Sequence, residues 1–390
     1  MKKTIRDYDL LGKRVIIRVD FNVPIKDGVI QDDNRIQESL KTINFAINAG
    51  AKLILLSHLG KVKTEEDKVK NTLKPVAMRL SELIGKEVLF SPTTRNLEPL
   101  VDTLTNGQVL LVENTRYEDI DSKKESSNDA ELAKYWASLG DIFINDAFGS
   151  CHRAHASVAG IASLLPNGIG FLVEKELQEL DKVINIEERP FTVIMGGAKI
   201  EDKIGVIENL VKKCDYILVG TAMAFSFLKA MDKKVGKSLV DETSLDFCNK
   251  LLSEYKDKLI LPVDAYVVKE IGETPTVVKI DDIQDDMMGV DVGPETSTLF
   301  DSYLNKSKTI FWNGPVGIFE NDLYKNGTLN ICKTLSNIQA IKIAGGGDTG
   351  SAINKFDYKD AFTHISTGGG ASLELIEGKE LPGITIIENK

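Results

Sequence analysis

Short runs rich in apolar and β-branched residues alternate with longer amphipathic segments along nearly the whole chain. In the first half, such runs cover residues 14–19, 53–56, 109–112 and 142–144. Between the first two, the segment 35–48 repeats apolar residues every three or four positions, which is typical of an amphipathic helix. Strands that alternate with helices in this way predict a parallel α/β sheet with helices packed on its faces.

The second half repeats the pattern. Its strand-like runs are residues 191–195, 216–219, 258–261, 309–311, 341–344 and 362–365. The chain has 390 residues, more than the roughly 250–300 at which a single hydrophobic core stops growing. An amphipathic segment at 174–184 separates the halves, and Pro190 marks the entry to the next strand. We therefore expect two doubly wound parallel-sheet α/β domains, joined by a helical hinge, with a cleft between them.

Charge and composition restrict the classes of partner. A formal net charge of −10 disfavours nonspecific binding to nucleic acid or to an anionic membrane, because both need excess positive charge. The first residues are interrupted by Asp7 and Asp9, so no export signal is predicted, and no apolar run reaches membrane-spanning length. Four cysteines without a CxxC pair indicate neither a disulfide framework nor a structural zinc site. The sequence predicts a cytoplasmic protein.

Polar side chains follow the predicted strands of the first half, where parallel sheets bind their ligands. They are Asp20, Asn22, Ser57, His58, Asn114, Arg116 and Asp146, with Arg35, His152, Arg153 and His155 on the connections. All nine arginines lie at or before Arg189. A surface scatter of arginines is the alternative, but guanidinium groups at strand ends suit a small phosphorylated carboxylate.

His152 and His155 could also indicate a metal site. Zinc, however, needs three or four ligands at defined spacings, and the sequence offers no third or fourth ligand near this pair. We interpret both residues as loop histidines.

Glycine follows the predicted strands of the second half. The clusters are Gly196-Gly197, Gly220, Asn313-Gly314-Pro315, Gly345-Gly346-Gly347 and Gly368-Gly369-Gly370. One such cluster is usually a tight turn, but where a glycine turn opens a helix, its free amides receive phosphate oxygens. Five clusters at corresponding strand ends indicate a nucleotide site.

Two common phosphate-binding motifs are matched only in part in this half. Gly236-Lys237-Ser238 has Met231 where a Walker A loop needs its first glycine, which excludes that loop. Gly345, Gly347 and Gly350 match the dinucleotide pattern GxGxxG, so a nicotinamide-dependent dehydrogenase is an alternative. The next strand, however, ends at Ser366-Thr367, where a dinucleotide fold needs an acidic residue for the ribose.

Ordered strings along nearly the whole chain resemble the phosphoglycerate kinase family. They are RVDFNVP (18–24), SHLG (57–60), residues 145–149 followed by HRAHAS, GGAKIEDKIGVIEN (196–209), MAFSFLK, DVGPET, FWNGPVGIFE, GGGDT and HISTGGGASLELIEGKELPG. Strings of this length in this order are not expected by chance.

The resemblance implies separate ligands for the two domains. A domain at 1–171 would bind 3-phosphoglycerate, a domain at 172–373 that includes the connecting helix would bind the nucleotide, and a tail at 374–390 would return to the first domain. The acid would contact Asp20, Phe21, Asn22, Arg35, His58, Leu59, Gly60, Lys61, Arg116 and Arg153. The nucleotide would contact Gly197, Lys203, Asn313, Pro315, Glu320, Gly346, Gly347, Asp348 and Thr349.

The resemblance also implies an activity: direct, reversible phosphoryl transfer between 1,3-bisphosphoglycerate and ADP, giving 3-phosphoglycerate and ATP, in glycolysis and gluconeogenesis. The catalytic groups would be Arg35, Lys199, Gly369 and Gly370. Asp348 would bind the Mg²⁺ that accompanies the nucleotide, and Glu320 the ribose. The protein would be a monomer that acts on small molecules, with no nucleic-acid or membrane partner.

The sequence departs from the family pattern at three sites. Lys61 replaces the usual arginine after SHLG, Cys151 replaces an alanine, and Thr221-Ala222 replaces a glycine-rich pair. Lysine at position 61 keeps the charge but loses the planar fork, so tight binding of the acid there is not implied. A catalytically inactive nucleotide-binding scaffold is the alternative, although Arg35 and Asp348 are both present.

Overall fold

The chain packs as two compact units. The computed structural model describes residues 1–390, except for the side chain of Thr221. Unit 1 comprises Met1–Leu177 and Glu380–Lys390, and unit 2 comprises Gln178–Lys379. Each unit contains a six-stranded sheet in which all pairings are parallel. The predicted α/β class with two parallel sheets is confirmed.

Unit 1 is built on a sheet with the strand order β5-β6-β4-β1-β7-β8. The strands of this unit are β1 (Arg14–Val19), β2 (Ile25–Lys26), β3 (Val29–Ile30), β4 (Lys52–Leu56), β5 (Val88–Ser91), β6 (Val109–Val112), β7 (Ile142–Asp146) and β8 (Asn167–Ile169). Its helices are α1 (Asn34–Asn48), α2 (Glu65–Lys70), α3 (Lys74–Ile84), α4 (Glu98–Thr103) and α5 (Ala130–Ser138). The strands β2 and β3 form a separate antiparallel hairpin.

The central strand β1 is buried on both faces, as expected of a parallel sheet. Val15, Ile17 and Val19 pack into the main core of unit 1. Because side chains alternate along a strand, Ile16 and Arg18 point to the opposite face. Arg18 is therefore a charged residue in the interior, and its side chain is fully buried.

Unit 2 repeats the arrangement, with the strand order β11-β10-β9-β15-β16-β17. These strands are β9 (Phe191–Met195), β10 (Tyr216–Val219), β11 (Leu259–Ile260), β15 (Thr309–Asn313), β16 (Ile341–Gly345) and β17 (His364–Ile365). The helices are α7 (Ile204–Lys213), α8 (Thr221–Ala230), α9 (Leu245–Tyr255), α10 (Pro294–Leu304), α11 (Asn326–Asn337), α12 (Gly347–Lys355) and α13 (Gly370–Glu377).

A second sheet of unit 2 was not predicted. It consists of β12 (Asp264–Val268), β13 (Thr276–Lys279) and β14 (Met288–Val292), paired antiparallel in the order β13-β12-β14. β13 is mostly exposed, and β14 contains glycine and aspartate. Neither strand therefore has the continuous apolar pattern by which the parallel strands were recognised.

One helix, α6 (Phe171–Ile184), crosses from the first unit to the second. The sequence predicted domain limits at 171 and 373, several residues before the limits of these units. Phe171 packs against Phe45 of unit 1, with ring centroids 5.3 Å apart. Near the other limit, Asn209 of α7 donates a hydrogen bond to the carbonyl of Ile376 in α13. The chain ends with a short helix in unit 1, α14 (Pro382–Thr385).

None of the described helices is both long enough and apolar enough to cross a membrane. The four cysteines are buried free thiols. Burial raises the pKa of Cys214, Cys248 and Cys332 to about 12. These thiols are therefore protonated at neutral pH and contribute to the core as small apolar groups.

Candidate functional site

An ion pair lies at the carboxyl end of β1. Asp20 directly follows the strand, and its carboxylate accepts a hydrogen bond from Arg35 near the start of α1. Burial alone would raise the pKa of Asp20, but the guanidinium groups of Arg35 and Arg18 help to hold it below its usual value. Asp20 is therefore an anion at neutral pH, and it fixes one nitrogen of the Arg35 guanidinium. The Arg35 side chain is about one third exposed and can reach a ligand.

Behind this pair, the buried guanidinium of Arg18 contacts the ring of His58. The distance from Arg18 Nη2 to His58 Nδ1 is 3.0 Å. The pKa of His58 is lowered to about 3, mainly by burial; Arg18, Arg116 and Arg35 act in the same direction, whereas Asp20 opposes the shift. His58 is therefore neutral at physiological pH.

Side chains at the strand ends fix the loops that carry the candidate acid site. Asn22 accepts a hydrogen bond from the amide of Gly60 at 2.8 Å. Asn114 accepts from the amides of Leu59 and Arg116, each at 3.1 Å. Its amide group donates to the carbonyl of Leu59 at 2.7 Å and to that of Asn71 at 2.9 Å. Asn114 is fully buried and ties the loop after β4 to the loop after β6.

A cavity of about 630 Å³ adjoins these loops. It is lined by Lys61, Val62, Lys63, Arg116, Asp119, Asp121, Lys123, Ser126 and Arg153. Arg116 lies 3.4 Å from Asp119 and 3.3 Å from the hydroxyl of Ser126 through Nη1. Within the described residues, its Nε is buried and makes no hydrogen bond. The lining is thus rich in cations and includes a guanidinium donor that is not used by the protein.

Of the two loop histidines, His152 is partly buried and His155 is buried. The Nδ1 of His155 lies 3.9 Å from Glu125. Burial, with Arg18 and Arg116 nearby, lowers the pKa of His155 to about 3. Over the described part of the chain, no group of three or more His, Cys, Asp or Glu side chains could hold a metal ion.

In unit 2, the predicted nucleotide residues gather at the carboxyl ends of β9, β15 and β16. Lys203 donates a hydrogen bond to the carbonyl of Gly196 at 2.6 Å, and its Nζ lies 3.4 Å from that of Asn313. Burial lowers the pKa of Lys203 to about 8, although Asp348 and Asp202 act in the opposite direction. At neutral pH the amine is mostly protonated, and it is held between two glycine-rich turns.

The turns approach each other so closely that side chains are excluded. A Cβ atom on Gly196 would lie 2.0 Å from the carbonyl oxygen of Pro315, and one on Gly314 would lie 2.3 Å from that of Gly196. Gly314 also has a φ of +91°, which favours glycine. The backbone is therefore the surface that a ligand meets here.

Helix α12 begins at this point and contributes side-chain contacts. Thr349 accepts a hydrogen bond from the amide of Gly314 at 2.7 Å and donates to the carbonyl of Gly345 at 2.9 Å. Asn313 donates to the same carbonyl at 2.8 Å, and its Oδ1 is buried without a partner among the described residues. Asp348, in the first turn, is exposed.

Other predicted residues lie further from these contacts. The side chains of Lys199 and Glu320 are exposed. The backbone of Glu320 is linked to α12, because Lys355 donates to the carbonyls of Phe319 and Glu320, each at 3.0 Å. Gly369 has a φ of +49° and precedes α13, which begins at Gly370.

Neither the role of Arg18 nor the hydrogen-bond partners of Asn114 were predicted from the sequence. Arg18 belongs to the string RVDFNVP and lies two residues before Asp20. The period of two along a strand places both on the same face, so a signal for Arg18 existed. The contacts of Asn114 to Leu59 and Asn71 join distant segments, which no local pattern indicates.

Comparison with known proteins identifies the family. Residues 5–379 match the family model described as phosphoglycerate kinase. The chain is 54% identical to a phosphoglycerate kinase of Fusobacterium nucleatum over 398 aligned positions and to one of Listeria monocytogenes over 394, with each pair of chains covered completely.

Solved structures agree with this result. The phosphoglycerate kinase of Coxiella burnetii is 37% identical, with a TM-score of 0.88, and that of Pyrococcus horikoshii is 30% identical, with a TM-score of 0.87. Each comparison covers 99% of this chain and 98% of the other. The chain belongs to the phosphoglycerate kinase family.

Proposed function

We propose that the chain catalyses reversible phosphoryl transfer between 1,3-bisphosphoglycerate and ADP, giving 3-phosphoglycerate and ATP. The observation that carries this proposal is the family match over residues 5–379. Every proposed contact residue, from Asp20 to Gly370, lies within the matched region. The enzyme is a phosphotransferase with a carboxyl group as acceptor, as its family membership implies.

Unit 1 is the proposed site of the phosphorylated acid. Its ligand carries a carboxylate and a phosphate, and planar guanidinium groups bind both through paired hydrogen bonds. Arg116 and Arg153 line one cavity, and Arg35 is oriented by Asp20. Lys61, on the same cavity, supplies charge without the planar geometry.

Unit 2 is the proposed site of the nucleotide. Lys203 offers a mostly charged amine between glycine turns, and the N-terminal end of α12 offers amides with a favourable dipole. These groups fit the phosphates of ADP or ATP. The proposed contact of the ribose is Glu320, whose carbonyl is held by Lys355.

Magnesium fits Asp348 as part of the nucleotide complex. This ion commonly binds one or two carboxylates together with substrate phosphates, and Asp348 is an exposed carboxylate close enough to Lys203 to affect its pKa. When bound, Mg²⁺ would neutralise charge on the phosphate oxygens.

The chain's own groups would act by position and charge. In the direction of ATP formation, the bond between the phosphorus and the acyl oxygen breaks, the carboxylate leaves, and a terminal oxygen of ADP forms the new bond to phosphorus. No protein nucleophile is needed. Arg35, Lys199 and the amides of Gly369 and Gly370 would stabilise the charge of the transferring group.

We further propose a monomeric cytoplasmic enzyme without nucleic-acid partners. The net charge of −10 supports the lack of nucleic-acid partners, and the four buried free thiols support a reducing compartment. The monomeric state is what the family resemblance implies.

A coupled assay with the purified protein tests the proposed reaction. ATP and 3-phosphoglycerate are supplied with Mg²⁺, and the 1,3-bisphosphoglycerate formed is reduced by glyceraldehyde-3-phosphate dehydrogenase, so that NADH is consumed. We expect NADH loss that disappears when Mg²⁺ or 3-phosphoglycerate is omitted. Asp348→Asn should lower the rate, and Asp360→Asn, which changes an exposed aspartate of the same unit, is the matched control. ADP binding without turnover would instead support the inactive scaffold.

A further inference from the structure

A buried polar network lies behind the acid site of unit 1. At its centre is Arg18, whose side chain is fully excluded from solvent. The Nε of Arg18 donates to the hydroxyl of Ser157 at 2.8 Å, and Nη1 donates to the carbonyl of Val19. Nη2 lies 3.0 Å from Nδ1 of His58 and 3.5 Å from the hydroxyl of Ser150.

The network continues to an acidic residue. The hydroxyl of Ser157 donates to Glu125, and the amide of Ser157 donates to the other carboxylate oxygen at 2.9 Å. Glu125 is also fully buried. The guanidinium is thus linked to a carboxyl group through one hydroxyl, so its position is fixed by a contact separate from that to His58. A charged group held on several sides cannot turn away from the imidazole without leaving hydrogen bonds unmade.

The chemistry of the contact determines the state of the ring. A guanidinium has only N–H donors and no acceptor, so Nδ1 of His58 must accept the hydrogen bond. An imidazole that accepts at Nδ1 carries its single proton on Nε2. Protonation of Nδ1 would direct two N–H groups at each other beside a buried positive charge. The other charged groups near the ring are Arg116 and Arg35, which disfavour a cation, and Asp20, which favours one.

We propose that Arg18 is a positioning residue that holds His58 as the neutral tautomer protonated on Nε2, so that Nε2–H donates to an oxygen of the bound acid. His58 is not fully buried, so the residue remains accessible to a ligand. The state of the ring is a property of unit 1 alone, whereas the donation to the acid rests on the proposed function. A donor of this kind keeps its state throughout the physiological pH range, unlike a histidine with an ordinary pKa.

Nitrogen-15 NMR of the histidine rings tests the tautomer directly, because long-range correlations distinguish protonated from unprotonated ring nitrogens. The chain has four histidines, and the signals missing from His58→Gln assign His58. We expect Nδ1 to be unprotonated and Nε2 protonated, without change between about pH 8 and about pH 5.5. A ring protonated on Nδ1, or on both nitrogens at neutral pH, would overturn the proposal.

Variants separate positioning from mere support of the fold. Arg18→Met removes the donor to Nδ1, and we expect mixed tautomers of the His58 ring and a KM for 3-phosphoglycerate raised about tenfold, with the KM for ATP unchanged. Ser157→Ala disturbs the same network without removing the contact to His58, so the tautomer should persist. An unaltered tautomer in Arg18→Met would refute the role of Arg18.

The tautomer of His58 can be tested even if Arg18→Met does not fold or the protein shows no turnover. If Arg18→Met does not fold, NMR of the unmodified protein still shows which tautomer the His58 ring adopts. The KM for 3-phosphoglycerate of His58→Gln then shows whether the ring contributes to binding of the acid. Glutamine can offer an amide donor in place of Nε2–H, so this KM should rise less than that of His58→Ala. If the protein shows the expected tautomer but no turnover, the proposed function fails while the assignment of the ring state stands.

Discussion

His155 is a buried base whose protonation should oppose folding. Its pKa is about 3 in the folded protein because of burial and the nearby cations Arg18 and Arg116, and about 6.5 in an unfolded chain. Between these values, the unfolded chain binds a proton that the folded protein does not. The free energy of unfolding therefore falls as pH decreases from about 6.5 towards about 3, and this contribution is fully present above about 6.5.

We predict that His155→Gln reduces this acid sensitivity. Each pH unit in the window corresponds to about 1.4 kcal/mol for one such histidine. Between about pH 6.5 and about pH 5, the unmodified protein should therefore lose about 2 kcal/mol more unfolding free energy than the variant. Urea unfolding at several pH values measures the difference. If the unfolding free energies of the two proteins change equally with pH, the prediction that His155 has a lowered pKa in the folded protein is wrong.

The glycine turns of unit 2 give a second prediction at this scale. Gly314→Ala places a methyl group 2.3 Å from the carbonyl oxygen of Gly196, at a φ of +91°. We expect a loss of about 1–3 kcal/mol in stability together with weaker ADP binding. Gly350→Ala is the matched control, because its Cβ would meet only Ile365, at 3.6 Å. In the middle of α12 it should stabilise by about 0.5–1 kcal/mol. Thermal unfolding compares the two variants, and equal unfolding midpoints would contradict this prediction.

At the scale of elements, α12 connects two parts of the proposed nucleotide site. Its N-terminal turn carries Asp348 and Thr349, and its last residue, Lys355, donates to the carbonyls of Phe319 and Glu320. The helix thus fixes the proposed phosphate contacts at one end and the segment of the proposed ribose contact at the other.

We predict that Lys355→Met weakens ADP binding several-fold, since two hydrogen bonds that hold the Glu320 segment are lost. Binding of 3-phosphoglycerate should not change. Lys359→Met removes an exposed lysine shortly after the helix and is the matched control. Calorimetric titration of each ligand measures both effects. Equal ADP affinity in Lys355→Met and Lys359→Met would exclude the holding role of Lys355.

The strands differ in how well their bounds could be predicted from the sequence. β1, β6, β9 and β10 have the predicted bounds, because each is a run of mostly apolar and β-branched residues that is buried almost throughout. β17 covers only His364–Ile365, shorter than the predicted strand at 362–365. The antiparallel strands were missed, since their pairing depends on distant segments and one is mostly exposed.

The site shows the same division. Residues directly after strands, such as Asp20, His58 and Gly314, were predicted because the edge of a parallel sheet is a general ligand position. The side-chain contacts that orient these residues were not predicted. Asn114 binds three backbone segments, and Arg18 contacts Ser157 across 139 positions of sequence. Such contacts follow from the tertiary fold and leave no periodic signal.

At the scale of the whole molecule, the proposed reaction requires two ligands that are assigned to different units. Direct transfer needs the acyl phosphate and ADP in van der Waals contact, in the absence of competing water. The chain passes between the units through α6, which we predicted to be a hinge. The cleft and the hinge remain predictions.

We predict that both ligands together make the molecule more compact. Small-angle scattering should give a smaller radius of gyration with 3-phosphoglycerate and a magnesium complex of a nonhydrolysable ATP analogue than with either ligand alone. Each single ligand serves as the control for the other. The same radius under all conditions would count against a hinge.

The division of ligands between units is the central claim, and calorimetric titration of two variants tests it most directly. Arg116→Met should weaken binding of 3-phosphoglycerate at least about tenfold through loss of charged hydrogen bonds, and should leave binding of ADP with Mg²⁺ unchanged. Lys203→Met should show the reverse. If each variant loses both ligands, or if neither loses the ligand assigned to its unit, the account of the two sites is wrong.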